Sequence, residues 1–282
     1  MPPISVSIVC KNNRETMTRV LQAVRPLVAG SVEDAGEIVA VDSGSTDGTI
    51  ELLESHGARV IRSAWLGHVK TKQLALTHCT KPWILALDSD EPPDDELVSS
   101  ITRVVRENDT RVSGYRVNRK LFFAGRYLDH CWQPEPRLRL VRKGFAAWAG
   151  IEPHDRLDLL PGSGDERDLP GTLRHDSFRT FAEHLERQAV YARLSAQALF
   201  ERGERSGLRN ILTTAPAAFL KQMVVKSAWR DGWRGVLAAA STGAGTLMKH
   251  IVLAELTMRE REKQREAAPQ QQVESKAIGS DA

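Results

Sequence analysis

Trp83-Ile-Leu-Ala-Leu-Asp-Ser-Asp-Glu91 decides how this chain is read. Trp83 to Leu87 is a short apolar run, the pattern of a strand buried on both faces of a parallel sheet. It ends in Asp88, Ser89, Asp90 and Glu91, and Pro92-Pro93 stops it. Three carboxylates crowded at the end of a buried strand repel one another and need a neutralising partner. A divalent metal is the economical one. Hard oxygen ligands suit Mg²⁺ or Mn²⁺, and Mg²⁺ is typically held by one or two carboxylates plus substrate phosphates. Ligands of open α/β sheets sit beyond the carboxyl ends of strands, which is where these acids lie. The plain alternative is an acidic start for the helix expected over Asp94 to Arg106, where carboxylates favour the dipole.

Upstream, the same alternation repeats. Ile4 to Cys10, Glu37 to Val41 and Ala58 to Ile61 read as strands. Thr16 to Val28 has helical spacing, with Met17, Val20, Leu21, Val24 and Leu27 on one face. Further helices are expected over Thr49 to Ser55 and Lys70 to His78. This order implies an α/β fold: a mostly parallel sheet flanked by helices. Downstream, Gly114 to Asn118 and Arg137 to Arg142 read as strands. Phe122 to Pro136 is dense in aromatics, His, acids and Pro and reads as a loop or hairpin lining a cleft. Leu159 to Pro170 reads as a surface loop.

From Ser177 the period changes to helical, giving a C-terminal helical extension over 177–256 behind an α/β domain over 1–176, split into halves 1–91 and 92–176. A helix is expected over Phe178 to Arg202. Leu208 to Leu256 is apolar but interrupted by Lys221, Lys226, Arg230, Arg234 and Lys249, and reads as two or three helices with turns near Asp231-Gly232 and Thr242–Gly245. Such a segment suits a membrane surface; the alternative is an ordinary helical packing layer. Thr257 to Glu266 reads as a charged helical end, and Ala267 to Ala282, Gln-rich and without aromatics, as a disordered tail.

Composition narrows the classes. With 282 residues and 41% hydrophobic content the chain can bury a sizeable core. A net charge of +3 is too balanced to argue for nucleic acid. Cys10, Cys79 and Cys131 are odd in number and scattered, which fits a reducing cytoplasm and not a disulfide framework. The N-terminus lacks the n- and h-regions of a secretory signal, and no apolar run of about 18 residues suggests a spanning helix.

Asp42 ends the second strand as Asp88 ends the fourth. It suits a hydrogen bond from a base N–H or a ribose hydroxyl, or a simple turn-forming role. The Ser43 to Thr49 loop has neither Gly-x-Gly-x-x-Gly nor Gly-Lys-Ser/Thr, so dinucleotide and P-loop readings lack their residues. A nucleotide held by Asp42 and a metal held by Asp88 and Asp90 describe a nucleoside-diphosphate donor. Arg137 and Arg139 offer guanidinium forks to phosphate oxygens, or a structural clamp. Trp132 and Trp148 offer rings to a sugar or to packing.

Ser7-Ile-Val-Cys-Lys-Asn12, Glu37-Ile-Val-Ala-Val-Asp-Ser-Gly-Ser-Thr-Asp-Gly-Thr49, Trp65-Leu-Gly67 and the Asp88-Ser-Asp90 strand resemble glycosyltransferase family 2, with its GT-A fold. Arg119 to Gly125, Gln133-Pro-Glu-Pro-Arg-Leu-Arg-Leu140, Glu152-Pro-His-Asp155 and Leu173-Arg-His-Asp-Ser177 resemble the branch that adds sugars to the lipopolysaccharide inner core. The resemblance implies inverting transfer from a nucleotide sugar, usually a UDP-sugar, with Mg²⁺ or Mn²⁺, to a lipid-linked glycan at the cytoplasmic face of the inner membrane, with peripheral membrane contact. It implies donor contacts at Cys10, Asn12, Glu15, Asp42, Ser43, Lys72, Asp88, Ser89, Arg137 and Arg139, and metal ligation by Asp90, Asp88 and His154. It places the general base at Glu135, where this branch more often shows Asp, with Asp129 as the rival. Glu135 alternatively forms an ion pair with Arg137 or Arg139, and Lys72 alternatively is a solvated helix lysine. A polyprenyl-phosphate-charging relative, another surface-polysaccharide enzyme and a non-catalytic sugar-nucleotide binder are the competing readings.

Overall fold

The computed structural model describes residues 3–30, 35–123, 125–151, 154–176, 178 and 180–278, with side-chain surroundings for all of these except 151, 154 and 266–278. Two units divide the chain. A sheet unit holds Met1–Leu128 and Gln133–Ser177, and a helical unit holds Asp129–Trp132 and Phe178–Ala282.

The sheet unit begins with four strands, β1 (Ile4–Cys10), β2 (Glu37–Asp42), β3 (Arg59–Arg62) and β4 (Trp83–Asp88). Helices α1 (Arg14–Val28), α2 (Thr49–Ser55), α3 (His68–His78) and α4 (Asp95–Glu107) follow them in turn. Then come β5 (Val112–Phe123), β6 (Arg126–Tyr127), β7 (Pro136–Arg142), a separate hairpin of β8 (Ala146–Ile151) and β9 (His154–Leu159), and β10 (Asp165–His175). The sheet order is β10-β5-β7-β4-β1-β2-β3, with β6 on β5. The pairs β1–β2, β1–β4, β2–β3 and β5–β10 are parallel, and β7 is antiparallel to both β4 and β5. All the strands on this path except β7 therefore run one way, the mostly parallel α/β sheet that the sequence predicts.

Burial explains the pattern. Every residue of β4 from Trp83 to Leu87 is buried, because helices cover both faces of the central strands. The apolar face read for α1, Met17 to Leu27, is the face it buries. Helix α4 starts one residue beyond its cap, Asp94, whose carboxylate accepts from Leu97 N at 2.8 Å. The direction of β7 is what matters for function. Its N-terminal end, and the residues just before it, lie at the same edge as the carboxyl ends of β4, β1 and β2.

One expectation fails in this unit. The segment after Leu159 is a loop only as far as Gly164, and Asp165–His175 forms the edge strand β10. Most of its first six residues are exposed and charged, so period-2 hydrophobicity is missing and the ladder to β5 supplies the order. Gly171 (φ +98°) permits the irregularity between Asp168 and Thr172, and a Cβ there would stand 2.3 Å from Leu97 N.

The helical unit comprises α5 (Phe181–Glu201), α6 (Leu208–Leu220), a π turn at Lys221–Val225, a 3₁₀ turn at Ala228–Asp231 and α7 (Trp233–Ile278). The turn at Asp231-Gly232 is present; the one expected at Thr242–Gly245 is not. Those small residues admit neighbours instead: a Cβ on Gly243 would meet Ala215 O at 3.3 Å, and one on Gly245 would meet Gln188 Oε1 at 2.2 Å. Helix α7 also runs on to Ile278 through most of the stretch read as a tail. Its Trp233–Arg265 portion is, among the described residues, the one helix long and apolar enough to cross a membrane by length and composition alone, which no single apolar run revealed. The same unit takes in Asp129–Trp132. Buried Asp231 accepts backbone N–H groups from Asp129 (3.0 Å), His130 (3.0 Å) and Cys131 (2.8 Å), so its charge is satisfied by three donors.

Candidate active site

Two neighbourhoods form at the carboxyl edge of the sheet unit. The first is a cleft of about 510 Å³ beside the ends of β2 and β3, lined by Asp42, Ser43, Gly44, Ser45, Ile50, Arg62, Ser63 and Ala64. Asp42 Oδ1 accepts from Gly44 N and Ser45 N, both at 2.9 Å, and Oδ2 takes the Ser45 hydroxyl. The turn-forming role is therefore real, and it coexists with a place on the cleft wall. Asn12 (φ +55°) latches the same loop: its N–H donates to Ser45 Oγ and its Oδ1 accepts from Thr46 N, both at 2.8 Å. Cys10 is buried against Asp42, 3.5 Å from Sγ to Oδ2, and burial followed by that carboxylate pushes its thiol far up, so it stays a thiol. The hydroxyl of buried Ser43 has no hydrogen-bond partner. Glu15 is exposed in the first turn of α1.

The second neighbourhood is an ionic network around Asp88 to Glu91. Lys72 Nζ, on α3, lies 2.5 Å from Asp88 Oδ1 and 2.7 Å from Asp155 Oδ2. It is 6% exposed, which overturns the solvated alternative. Arg139 on β7 lies 3.3 Å from Asp88 and 2.8 Å from Glu91. Arg119 on β5 joins Glu91 (3.1 Å) to Glu135 (2.5 Å), and Arg137 reaches Glu135 at 2.6 Å. Glu135 is thus ion-paired, with Arg119 and Arg137 and not with Arg139. Trp148 is buried, with Lys72 over its ring at 4.7 Å and Arg139 at 5.7 Å, so its ring serves packing.

The acids divide sharply. Burial pushes Asp88 and Glu91 up, but adjacent cations outweigh it and hold both below the ordinary carboxyl range, Lys72 and Arg139 at Asp88, Arg139 and Arg119 at Glu91. Protein cations, not a metal alone, neutralise these two, a correction to the sequence argument. Asp90 differs. Burial, then repulsion from Asp88 and Glu91, push its carboxyl up to about 7. His175 Nε2, at the end of β10, stands 3.7 Å from Asp90 Oδ2; burial and then Arg119 push it down to about 4, so it is a neutral imidazole. Glu135 is held below its ordinary value, as Arg119 and Arg137 outweigh burial. Ser89 is buried between the two aspartates.

The remaining expectations fall elsewhere. Asp129 belongs to the helical unit, where its N–H donates to Asp231. Trp132 is there too, its Nε1–H donating to Thr242 Oγ1 at 2.8 Å. His154 opens β9, and its side chain lies outside those described. Among the described residues no three His, Cys, Asp or Glu side chains form a metal cluster. The pair Asp90 and His175 offers one hard oxygen and one neutral nitrogen, a donor set whose chemistry suits a divalent cation. The sequence offers His175 only as a weaker candidate than His154, and the role of Arg119 escapes it. Arg119 is an ordinary strand residue until partners 16 and 28 positions away are folded against it, and a lone histidine carries little signal.

The sheet unit is thus an α/β domain with acids at the ends of parallel strands and a network of Lys and Arg balancing them. The chain belongs to glycosyl transferase family 2, whose model matches residues 5–149. Among relatives, a lipopolysaccharide core biosynthesis glycosyltransferase, LpsC of Rhizobium meliloti (strain 1021), is 29% identical over 86% of this chain and 88% of its own length. An uncharacterized glycosyltransferase of Rickettsia typhi is 24% identical over 93% of this chain and 90% of its own. Among solved structures, S. aureus TarS with UDP matches with a TM-score of 0.40 and 18% identity, covering 51% of this chain and 47% of that one. Glucosyl-3-phosphoglycerate synthase of Mycobacterium tuberculosis with Mn²⁺, UDP and glucosyl-3-phosphoglycerate matches with a TM-score of 0.35 and 24% identity, covering 42% and 44%. The matched region is less than half of each of those two chains.

Proposed function

We propose that the protein is an inverting, metal-dependent hexosyltransferase that moves a sugar from a UDP-sugar to a lipopolysaccharide-core or other lipid-linked glycan. The observation that carries this reading is Asp90. Among the described residues it is the one acid of the Asp88–Glu91 run that forms no ion pair with a Lys or Arg, and it stands at the strand end where a donor diphosphate would lie. The cleft at Asp42 takes the nucleoside. Asp90, with His175, holds Mg²⁺ or Mn²⁺, which when bound offsets negative charge growing on the departing diphosphate. Lys72 and Arg139 fix Asp88, and so hold the strand end in one geometry. Glu135 accepts the proton of the attacking hydroxyl. Its two arginines keep it ionised and aimed, at the cost of basicity.

The acceptor class draws on the LpsC likeness and on the helical unit. Between Gly207 and Ala254 the chain has six cations and one acid, and that acid, Asp231, is buried. Leu208, Leu212, Leu220 and Val224 recur at multiples of four residues and are all exposed, as are Val225, Trp229 and Trp233. Apolar side chains and aromatic rings beside cations suit the interface of an anionic membrane, where a lipid-linked acceptor resides.

The test is nucleoside-diphosphate release from UDP-, GDP- and ADP-sugars, with and without Mn²⁺ and a truncated-core lipopolysaccharide. Metal-dependent release from one donor, raised by the acceptor, is expected. Turnover with no metal in excess chelator would defeat the metal assignment.

A further inference from the structure

The helical unit contains a groove of about 240 Å³ that the reading above does not use. Helix α5 lines it with Gln188, Tyr191, Ala192 and Ser195, and α7 with Thr242, Gly245, Thr246 and Lys249. Both sets have the spacing i, i+3, i+4, i+7, so each is one continuous face of its helix. Where two helices merely pack, such a face carries Leu, Ile or Val. Here it carries hydroxyls, an amide, a phenol and an ammonium. Elsewhere the two helices bury Ala196, Ala238 and Ala239, which is ordinary seam material.

Some of the groove's polar groups are spent: the Thr242 and Thr246 hydroxyls donate to Ala238 O and Thr242 O within α7, and Gln188 Nε2 lies 3.4 Å from His184 Nε2. The Lys249 ammonium and the Tyr191 and Ser195 hydroxyls have no hydrogen-bond partner among the described residues. Trp132 closes one side, its ring tethered by the bond from Nε1 to Thr242 Oγ1, and Tyr191 stands 46% exposed. Gly245 keeps the floor low, since any Cβ there would run into Gln188. Two aromatic faces can cover the C–H side of a pyranose, hydroxyls can meet its rim, and a lone cation asks for an anionic substituent. The volume is below the roughly 300–1,000 Å³ of clefts for drug-sized ligands, the scale of a single ring.

We propose that this groove binds one anionic sugar residue, with its phosphate or carboxylate on Lys249 and its ring against Trp132 and Tyr191. That the sugar belongs to the acceptor glycan rests on the transferase reading; the binding itself does not. Trp132 comes from the tetrapeptide that precedes Gln133-Pro-Glu135 in the chain, so the groove wall and the proposed base share one short segment.

The experiment is saturation-transfer NMR on the full chain, with glucose 6-phosphate, glucuronate and glucose as probes. At least one anionic probe should bind about tenfold or more tightly than glucose, the range of a charge-assisted contact. Lys249→Met should bring it down to the glucose level, and Tyr191→Ala should weaken all three. Glucose 6-phosphate alone binding assigns a phosphate; glucuronate alone assigns a carboxylate. Equal binding of all three, indifference to both substitutions, or no binding by the wild type overturns the proposal. UDP titration of the same wild-type sample separates the two readings. UDP binding without sugar binding removes the groove and leaves the transferase; the converse does the opposite.

Discussion

Asp88 and Asp90 sit two positions apart and meet opposite electrostatics. One is locked to Lys72 and Arg139; the other, among the described residues, has only the neutral His175 as a side-chain ion-pair partner. Asp90→Asn should therefore abolish metal-stimulated turnover, by about 10³-fold or more in kcat, while UDP binding to the Asp42 cleft persists without metal. Full metal-stimulated activity in that variant would remove Asp90 from the ligand set. The raised carboxyl also fixes a sign. Below about pH 7 the metal must displace a proton from Asp90, so Mn²⁺ affinity should fall about tenfold per unit as pH drops, and level off above it. Calorimetry in two buffers of different ionisation heat should show a released proton at pH 6 and none at pH 8. Glu135→Gln keeps an oxygen toward Arg119 but cannot take a proton. It should lower kcat by about 10²–10⁴-fold with the donor KM held, and an unchanged kcat would move the base elsewhere. Acids at strand ends were legible because a buried apolar run stopping in carboxylates is a local pattern. The ion pairs of Lys72 with Asp88 and Asp155, and the joining of Glu91 to Glu135 by Arg119, were not, because they come only from partners brought together by the sheet.

At the scale of elements, β1 to β4 and α1 to α5 declare themselves by period and were read within a few residues, while the β8–β9 hairpin was not read as strands. Strand β10 did not declare itself, because it is an edge strand whose order resides in its backbone ladder and in ion pairs such as Arg116 with Asp168 at 2.7 Å. Gly171 within it carries both a left-handed φ and a backbone neighbour at 2.3 Å from any Cβ. Gly171→Ala should therefore destabilise the sheet unit by about 2–4 kcal/mol, read as a lowered urea midpoint. A midpoint within error of wild type would mean that α4 and β10 can separate there at no cost. Glycines of α7 misled the reading for a related reason. A glycine signals a turn or a close neighbour with the same letter, and only the packed neighbour, Gln188 or Phe219, tells which.

At the scale of the whole molecule, a net charge of +3 conceals its distribution. The stretch from Gly207 to Ala254 is strongly cationic and presents large apolar side chains, with Leu208 70%, Val224 69% and Val225 72% exposed. Flotation with anionic vesicles should carry the full chain, and raising salt should weaken it by screening. Trp229→Ala with Val225→Ser should cut vesicle binding about tenfold or more while leaving the helical content unchanged. Undiminished flotation of that variant would return the segment to the role of a packing layer.

The three backbone donors on Asp231 have a consequence for modularity. The tetrapeptide Asp129–Trp132 is spelled inside the sheet unit's sequence yet folds with the helices. The chain thus passes from one unit to the other three times, and no single cut separates them. A fragment beginning at Phe178 would inherit a buried carboxylate stripped of its donors. A swap of C-terminal regions between relatives would work only if the four-residue graft travelled along. For recombination and for engineering alike, the two units are one heritable part.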